Sequence, residues 1–178
     1  RVDALKTIRD FHQRYGHIQE VIIQNFRAKP DTRMADAPHA EHADLLWTIR
    51  TAREILGAEM NIQAPPNLSF DSDEHCAELI DAGINDWGGV SPVTIDHVNP
   101  EAPWPAIETL REITASRGRV LVARLPSYPA YVLDAARWHA PEIATRLMRA
   151  SDCEGFARDD AWSPGLAMPI SPQAPKTK

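Results

Sequence analysis

Polar side chains that can hold a small polar ligand recur after short apolar runs in this chain. Ile22-Ile23 leads into Gln24-Asn25-Phe26-Arg27-Ala28-Lys29-Pro30, and Ile62-Gln63 leads into Ala64-Pro65-Pro66-Asn67-Leu68. Ile84 leads into Asn85-Asp86-Trp87-Gly88-Gly89. Further on come His97-Val98-Asn99-Pro100-Glu101 and Pro103-Trp104-Pro105. Each block reads as a buried strand handing functional groups to the loop at its C-terminal end. Gln24, Asn25, Gln63 and Asn67 offer both donors and acceptors, which suits a uracil-like ring of alternating N–H and C=O groups. Arg27 can hold a carboxylate with two parallel hydrogen bonds, whereas Lys29 is a point charge. Asp86 can orient an amine or a sugar hydroxyl. Trp87 can stack on an aromatic ring or fill a core. Gly88-Gly89 lets a ligand approach the backbone or simply makes a tight turn. Turn chemistry explains any one block by itself; its repetition after three strands favours a site.

The elements that must position these residues follow from periodicity. Residues 3–15 read as a helix through Leu5, Ile8, Phe11 or His12, and Tyr15, ended by Gly16. Strands are expected at 18–23, 60–63 and 84–87. Helices are expected at 40–56, from Asp71 or Ser72 to Ala82, and at 103–116. Residues 120–125 read as a strand or an extended packing segment. Two more helices are expected at 130–139 and 141–150. The proline-rich stretch 163–178 reads as a disordered tail, and residues 1–162 as one domain. Helix and strand alternate at the spacing of parallel βαβ units. Three strands do not close a barrel, but they fit the last three βα units of a (βα)8 TIM barrel, followed by a helical extension. The class is α/β.

Composition narrows the partners. The 178 residues carry a net charge of −6, so a basic nucleic-acid face is excluded. No apolar run reaches the ~20 residues that cross a bilayer. Two cysteines, Cys76 and Cys153, do not make a disulfide scaffold, and a reducing cytoplasm is the expected compartment. Cys76 reads as a small core residue, and Cys153, between Asp152 and Glu154, as an unreactive thiol. His39 and His42, read as neighbours on the second helix, could share a metal, but no third ligand follows at a suitable spacing. His97 reads as a loop hydrogen-bonding residue or a general acid.

Taken in order, these blocks resemble the radical S-adenosylmethionine domain of the FO synthase family, the ring-closing half above all, from about Asp3 to Trp162. The resemblance implies an enzyme that uses S-adenosylmethionine and a 4Fe-4S cluster. A 5′-deoxyadenosyl radical would abstract hydrogen from an adduct of tyrosine and 5-amino-6-ribitylaminouracil, and ring closure with loss of ammonia would give an 8-hydroxy-5-deazaflavin. By its place at a strand end and its chemistry, Asp86 reads as the catalytic residue. Gln24, Asn25, Arg27, Gln63, Asn67 and Trp87 would contact the substrate, and Asn25, Phe26, Gly88 and Gly89 the cofactor. The family's Cys-x3-Cys-x2-Cys cluster motif has no counterpart here, so no metal ligand is carried over. The chain therefore reads as the C-terminal part of a catalytic domain, inactive alone, whose partners are a small-molecule substrate, the missing N-terminal half of the barrel and a sister radical domain. Tyrosine–uracil coupling, the related cyclase of menaquinone synthesis and a non-catalytic partial-barrel interaction module are the competing readings.

Overall fold

The computed structural model describes residues 1–68, 72–91 and 93–158, arranged as two compact units, Arg1–Leu121 and Val122–Lys178. The first unit is mixed α/β. Its elements are α1 (Val2–Tyr15), β1 (Glu20–Ile22), α2 (His42–Leu56), β2 (Asn61–Gln63), a single 3-10 turn (Pro66–Leu68), α3 (Asp73–Ala82) and α4 (Ile107–Ser116). β1 and β2 pair in parallel, with Val21 opposite Ile62. The third expected strand is reduced to one parallel bridge, Gln63 to Asp86. Asn85 N–H donates to Ile62 C=O at 3.1 Å and Ala64 N–H to Asp86 C=O at 3.3 Å, the start of a parallel ladder that goes no further. The three segments are thus parallel neighbours in the order 20–22, 61–63, 86.

The helix ends follow from single residues. Gly16 takes the left-handed conformation, φ 67°, and its N–H closes on His12 C=O. Ser72 caps α3 by accepting the His75 N–H, with Asp73 and Glu74 in the first turn. The helices α1 to α4 pack in chain order, each against the next. Ile49, Ala52, Ile62, Cys76 and Leu79 are fully enclosed between them and the sheet. Only Leu5 of α1 is buried; of the alternatives Phe11 and His12, His12 is the more covered, and Phe11 stacks with Tyr15 near the surface.

The N-terminal end of this sheet is braced by one side chain. The Arg53 guanidinium donates to Gly57, Ala58 and Met60 carbonyls at 2.8, 3.0 and 2.7 Å, and to Gly83 C=O through both Nε and Nη2. It thereby satisfies the carbonyl ends of α2 and α3 together. Asn85 Oδ1 accepts from Ile62 N–H at 2.8 Å, and its amide nitrogen donates to Asn61.

Within the second unit, α5 (Pro129–Leu133), α6 (Ala135–Trp138) and α7 (Pro141–Ala150) surround buried Tyr128, Tyr131, Val132 and Ala135. Gly155, φ 88°, lies where a Cβ would come 2.9 Å from the Pro129 backbone, so no other residue fits. The stretch 120–125 forms no strand, and Val120 and Val122 are exposed. Trp162 and the tail 163–178 lie outside the described residues.

Candidate functional site

At the C-terminal ends of the parallel segments the loops lock onto one another through polar side chains. After β1, Asn25 Nδ2 donates to Leu68 C=O at 3.4 Å and Arg27 donates to the same oxygen at 2.5 Å. Arg27 thus holds a backbone carbonyl, not a free carboxylate fork. Lys29 is ion-paired with Glu101, and that contact holds the Glu101 carboxyl below its ordinary pKa. Gln24 and Phe26 are exposed. The loop over residues 26–40 closes on itself through Ala40 N–H to Phe26 C=O, 3.2 Å.

After β2, Gln63 and Asn67 are buried. Asn67 Nδ2 donates to Asp96 Oδ2 at 2.9 Å and to Ala102 C=O at 3.2 Å. Asp96 also accepts from Asn99 Nδ2 and from the Val98 and Asn99 N–H groups. These hydrogen bonds, led by that from the Asn99 side chain, pull its carboxyl down to about 2 against the opposing effect of desolvation. Asp96, not the exposed His97, is therefore the organiser of this loop. The Asp-x-x-Asn spacing of Asp96 and Asn99, a common turn signal, was the available clue.

Two acceptors in this cluster are left over. Asn25 Oδ1 and Asn67 Oδ1 are both buried and have no hydrogen-bond partner among the described residues. A buried unsatisfied acceptor costs about 1–3 kcal/mol, so these two stand out in a chain whose buried polar groups are otherwise mostly paired.

In the third block, Asp86 Oδ1 accepts the Gly88 N–H at 2.5 Å, an Asx-type turn that holds the carboxylate at the strand end. Gly88 has φ 81°, and a Cβ there would fall 2.1 Å from Gln63 Nε2; Gly89 faces open space. Trp87 takes the core alternative: it is 8% exposed and its indole N–H donates to Thr114 on α4, 3.1 Å. The structure thus gathers Asn25, Arg27, Gln63, Asn67, Asp86 and Gly88 around adjacent strand ends and turns Trp87 away from them.

The histidines part company. His39 belongs to the 26–40 loop and not to α2, which begins at His42. A cavity of about 200 Å³ is lined by Asn25, Phe26, Arg27, His39, Ala40 and His42. His42 instead turns to α3, where it meets His75 and Glu78. Cys76 is buried on α3 and Cys153 is exposed in the second unit. Two such thiols cannot hold a four-iron cluster, which needs several cysteines converging on it, so no cluster chemistry is built on this chain's residues. No helix among the described residues is long and apolar enough to cross a membrane.

No protein-family model matches the chain, and no solved structure matches it. Among curated proteins it is 49% identical over 167 residues to an FO synthase of Nocardia farcinica, a match covering 93% of this chain and 19% of that protein. An FO synthase of Mycobacterium tuberculosis is 50% identical over 160 residues, 89% of this chain and 18% of its own length. A 7,8-didemethyl-8-hydroxy-5-deazariboflavin synthase of Methanopyrus kandleri is 52% identical over 158 residues, 89% of this chain and 46% of its own length. The chain therefore spans about a fifth of the Nocardia and Mycobacterium relatives and just under half of the Methanopyrus one. The likeness read from the strand-end blocks is borne out over nine tenths of the sequence.

Proposed function

We propose that this chain is a stretch of an FO synthase and that its strand-end loops form part of the site where the whole enzyme closes an 8-hydroxy-5-deazaflavin ring. The reading is carried by the two buried, unpartnered carboxamide oxygens of Asn25 and Asn67, set at neighbouring parallel strand ends in a sequence half identical to FO synthases. In this reading the parallel segments are the last three βα units of a (βα)8 barrel. Adenine or uracil N–H groups satisfy the Asn25 and Asn67 oxygens, Asp86 orients an amine or ribityl hydroxyl, and the Gly88-Gly89 turn lets the ligand lie against the backbone. S-adenosylmethionine, with a cluster held elsewhere in the longer protein, would supply the radical chemistry. The residues of this chain bind, orient and exclude water. The substrate is an adduct of tyrosine and a ribitylaminouracil, and the remaining barrel and a sister radical domain are the partners.

The test uses the whole enzyme that carries this sequence. Asn25→Ala, Asn67→Ala and Asp86→Ala should each lower FO formation by roughly tenfold or more, with little change in the melting temperature. Wild-type turnover in all three would reduce these residues to turn formers and end this reading. Reading the gene upstream of the codon for Arg1 offers a cheaper check: an in-frame Cys-x3-Cys-x2-Cys is expected.

A further inference from the structure

A second polar cluster lies on the helices, between α2 and α3, and the ring closure proposed above makes no use of it. His42 at the start of α2 places Nε2 2.8 Å from Glu78 Oε2 on α3. Its ring stacks on that of His75, centroids 4.2 Å apart and 18° from parallel. One ligand atom from each of His42, His75 and Glu78 can be chosen so that all lie within 4.8 Å of one another. All three residues are half-buried.

We propose that His42, His75 and Glu78 form a binding site for a divalent transition metal of the zinc class, which clasps α2 to α3. Two imidazole nitrogens and one carboxylate oxygen suit zinc, while magnesium and calcium take oxygen ligands. Metal–ligand bonds of about 2.0–2.2 Å in a tetrahedron put ligand atoms about 3.3 Å apart. The 2.8 Å His42–Glu78 contact must open by about half an ångström, and a separation at the 4.8 Å limit must close by about 1.5 Å. Metal binding therefore requires the three side chains to shift and the stacked rings to splay. His75 and Glu78 are one turn apart on α3, so that helix presents two ligands on one face. Three protein ligands leave the fourth tetrahedral position for water.

An ordinary explanation exists for the same geometry: an ion pair between His42 and Glu78 with a second imidazole stacked on it. Metal retention separates the two. The full chain is loaded with zinc, dialysed against metal-free buffer and analysed for zinc by atomic emission. One zinc per chain is expected, together with a rise in melting temperature on adding zinc and none on adding magnesium. His75→Ala and Glu78→Gln should each weaken zinc binding by roughly tenfold or more and abolish the rise. Circular dichroism of each variant checks that it is folded; Glu78→Gln keeps shape and volume, so it serves even if His75→Ala does not fold. Cobalt substitution should give d–d absorption with no thiolate charge-transfer band. Failure of the wild type to retain zinc, retention unaffected by either substitution, or a thiolate band that assigns the metal to Cys76 or Cys153, overturns the proposal.

Discussion

The Gln63 carboxamide lies across Gly88 so closely that a Cβ at position 88 would fall 2.1 Å from Nε2 and 2.5 Å from Cδ. This contact joins the second and third strand ends, and Gly88 reaches it with φ 81°. Gly88→Ala therefore combines backbone strain with a steric clash, and should cost about 2 kcal/mol or more. Gln63→Ala in the same chain should recover the clash and leave the strain, a coupling of about 1 kcal/mol in a denaturation cycle. Strict additivity of the two substitutions would mean that Gln63 is not what the new methyl meets.

Arg53 makes a separate prediction at the opposite end of the sheet. Burial lowers its pKa from the ordinary arginine value, yet its donors are spread over four carbonyls at the ends of two helices. Arg53→Ala leaves those carbonyls without their donor and should destabilise by about 3 kcal/mol. Arg53→Lys should recover less than half of that, because one ammonium cannot reach both helix ends. Chemical denaturation measures both; full rescue by lysine would mean that charge alone, and not the planar fork, braces the two helices.

The loop that positions Asn67 should respond to acid. The Asp96 carboxyl has its pKa depressed from 3.8 to about 2 by its hydrogen bonds. A group depressed on folding contributes stability above its unfolded pKa, and that stability is lost as pH falls through the folded value. Asp96 thus supports the 96–102 loop fully above about pH 4 and loses its hold towards pH 2. Amide exchange at Val98 and Asn99 should accelerate across this window, and Asp96→Asn should remove the dependence. An unchanged acid response in Asp96→Asn would assign it to another carboxylate.

Local signals carried much of this fold into view. Gly16, Gly57 and Gly83 end α1, α2 and α3 as a helix-then-glycine pattern predicts, and Ser72 caps α3 through its own hydroxyl. The parallel order of the three segments followed from their alternation with helices. What escaped was tertiary. Residues 84–87 have a strand's composition, but only Asp86 bridges to β2, while Trp87 is drawn to Thr114 in the core. Arg27 and Lys29 looked free to take a ligand, yet Leu68 C=O and Glu101 hold them. His42 was paired with His39 by sequence distance. Its neighbours lie on α3, where the packing of two helices and not spacing brings them.

The outer edge of β1 carries the last prediction. β1 pairs with β2 on one side, and no strand among the described residues lies on the other. Ile22 is 51% exposed there, in a run with Val21 and Ile23 that holds no charge. A β-prone edge with no neighbouring strand is a template for pairing with another chain, and the only charge in β1 is the Glu20 carboxylate at its start. The 178-residue chain by itself should therefore be oligomeric or poorly soluble, and Ile22→Lys should raise its solubility without lowering the melting temperature. Supplying the N-terminal part of an FO synthase, in cis or in trans, should give a monodisperse species, because in the proposed barrel a neighbouring strand pairs with this edge. Sedimentation measures the assembly and amide exchange along 18–23 measures the pairing. A stable monomer with strongly protected amides across that stretch would show the edge covered from within, and the chain would then be a self-sufficient domain and not one side of an opened barrel.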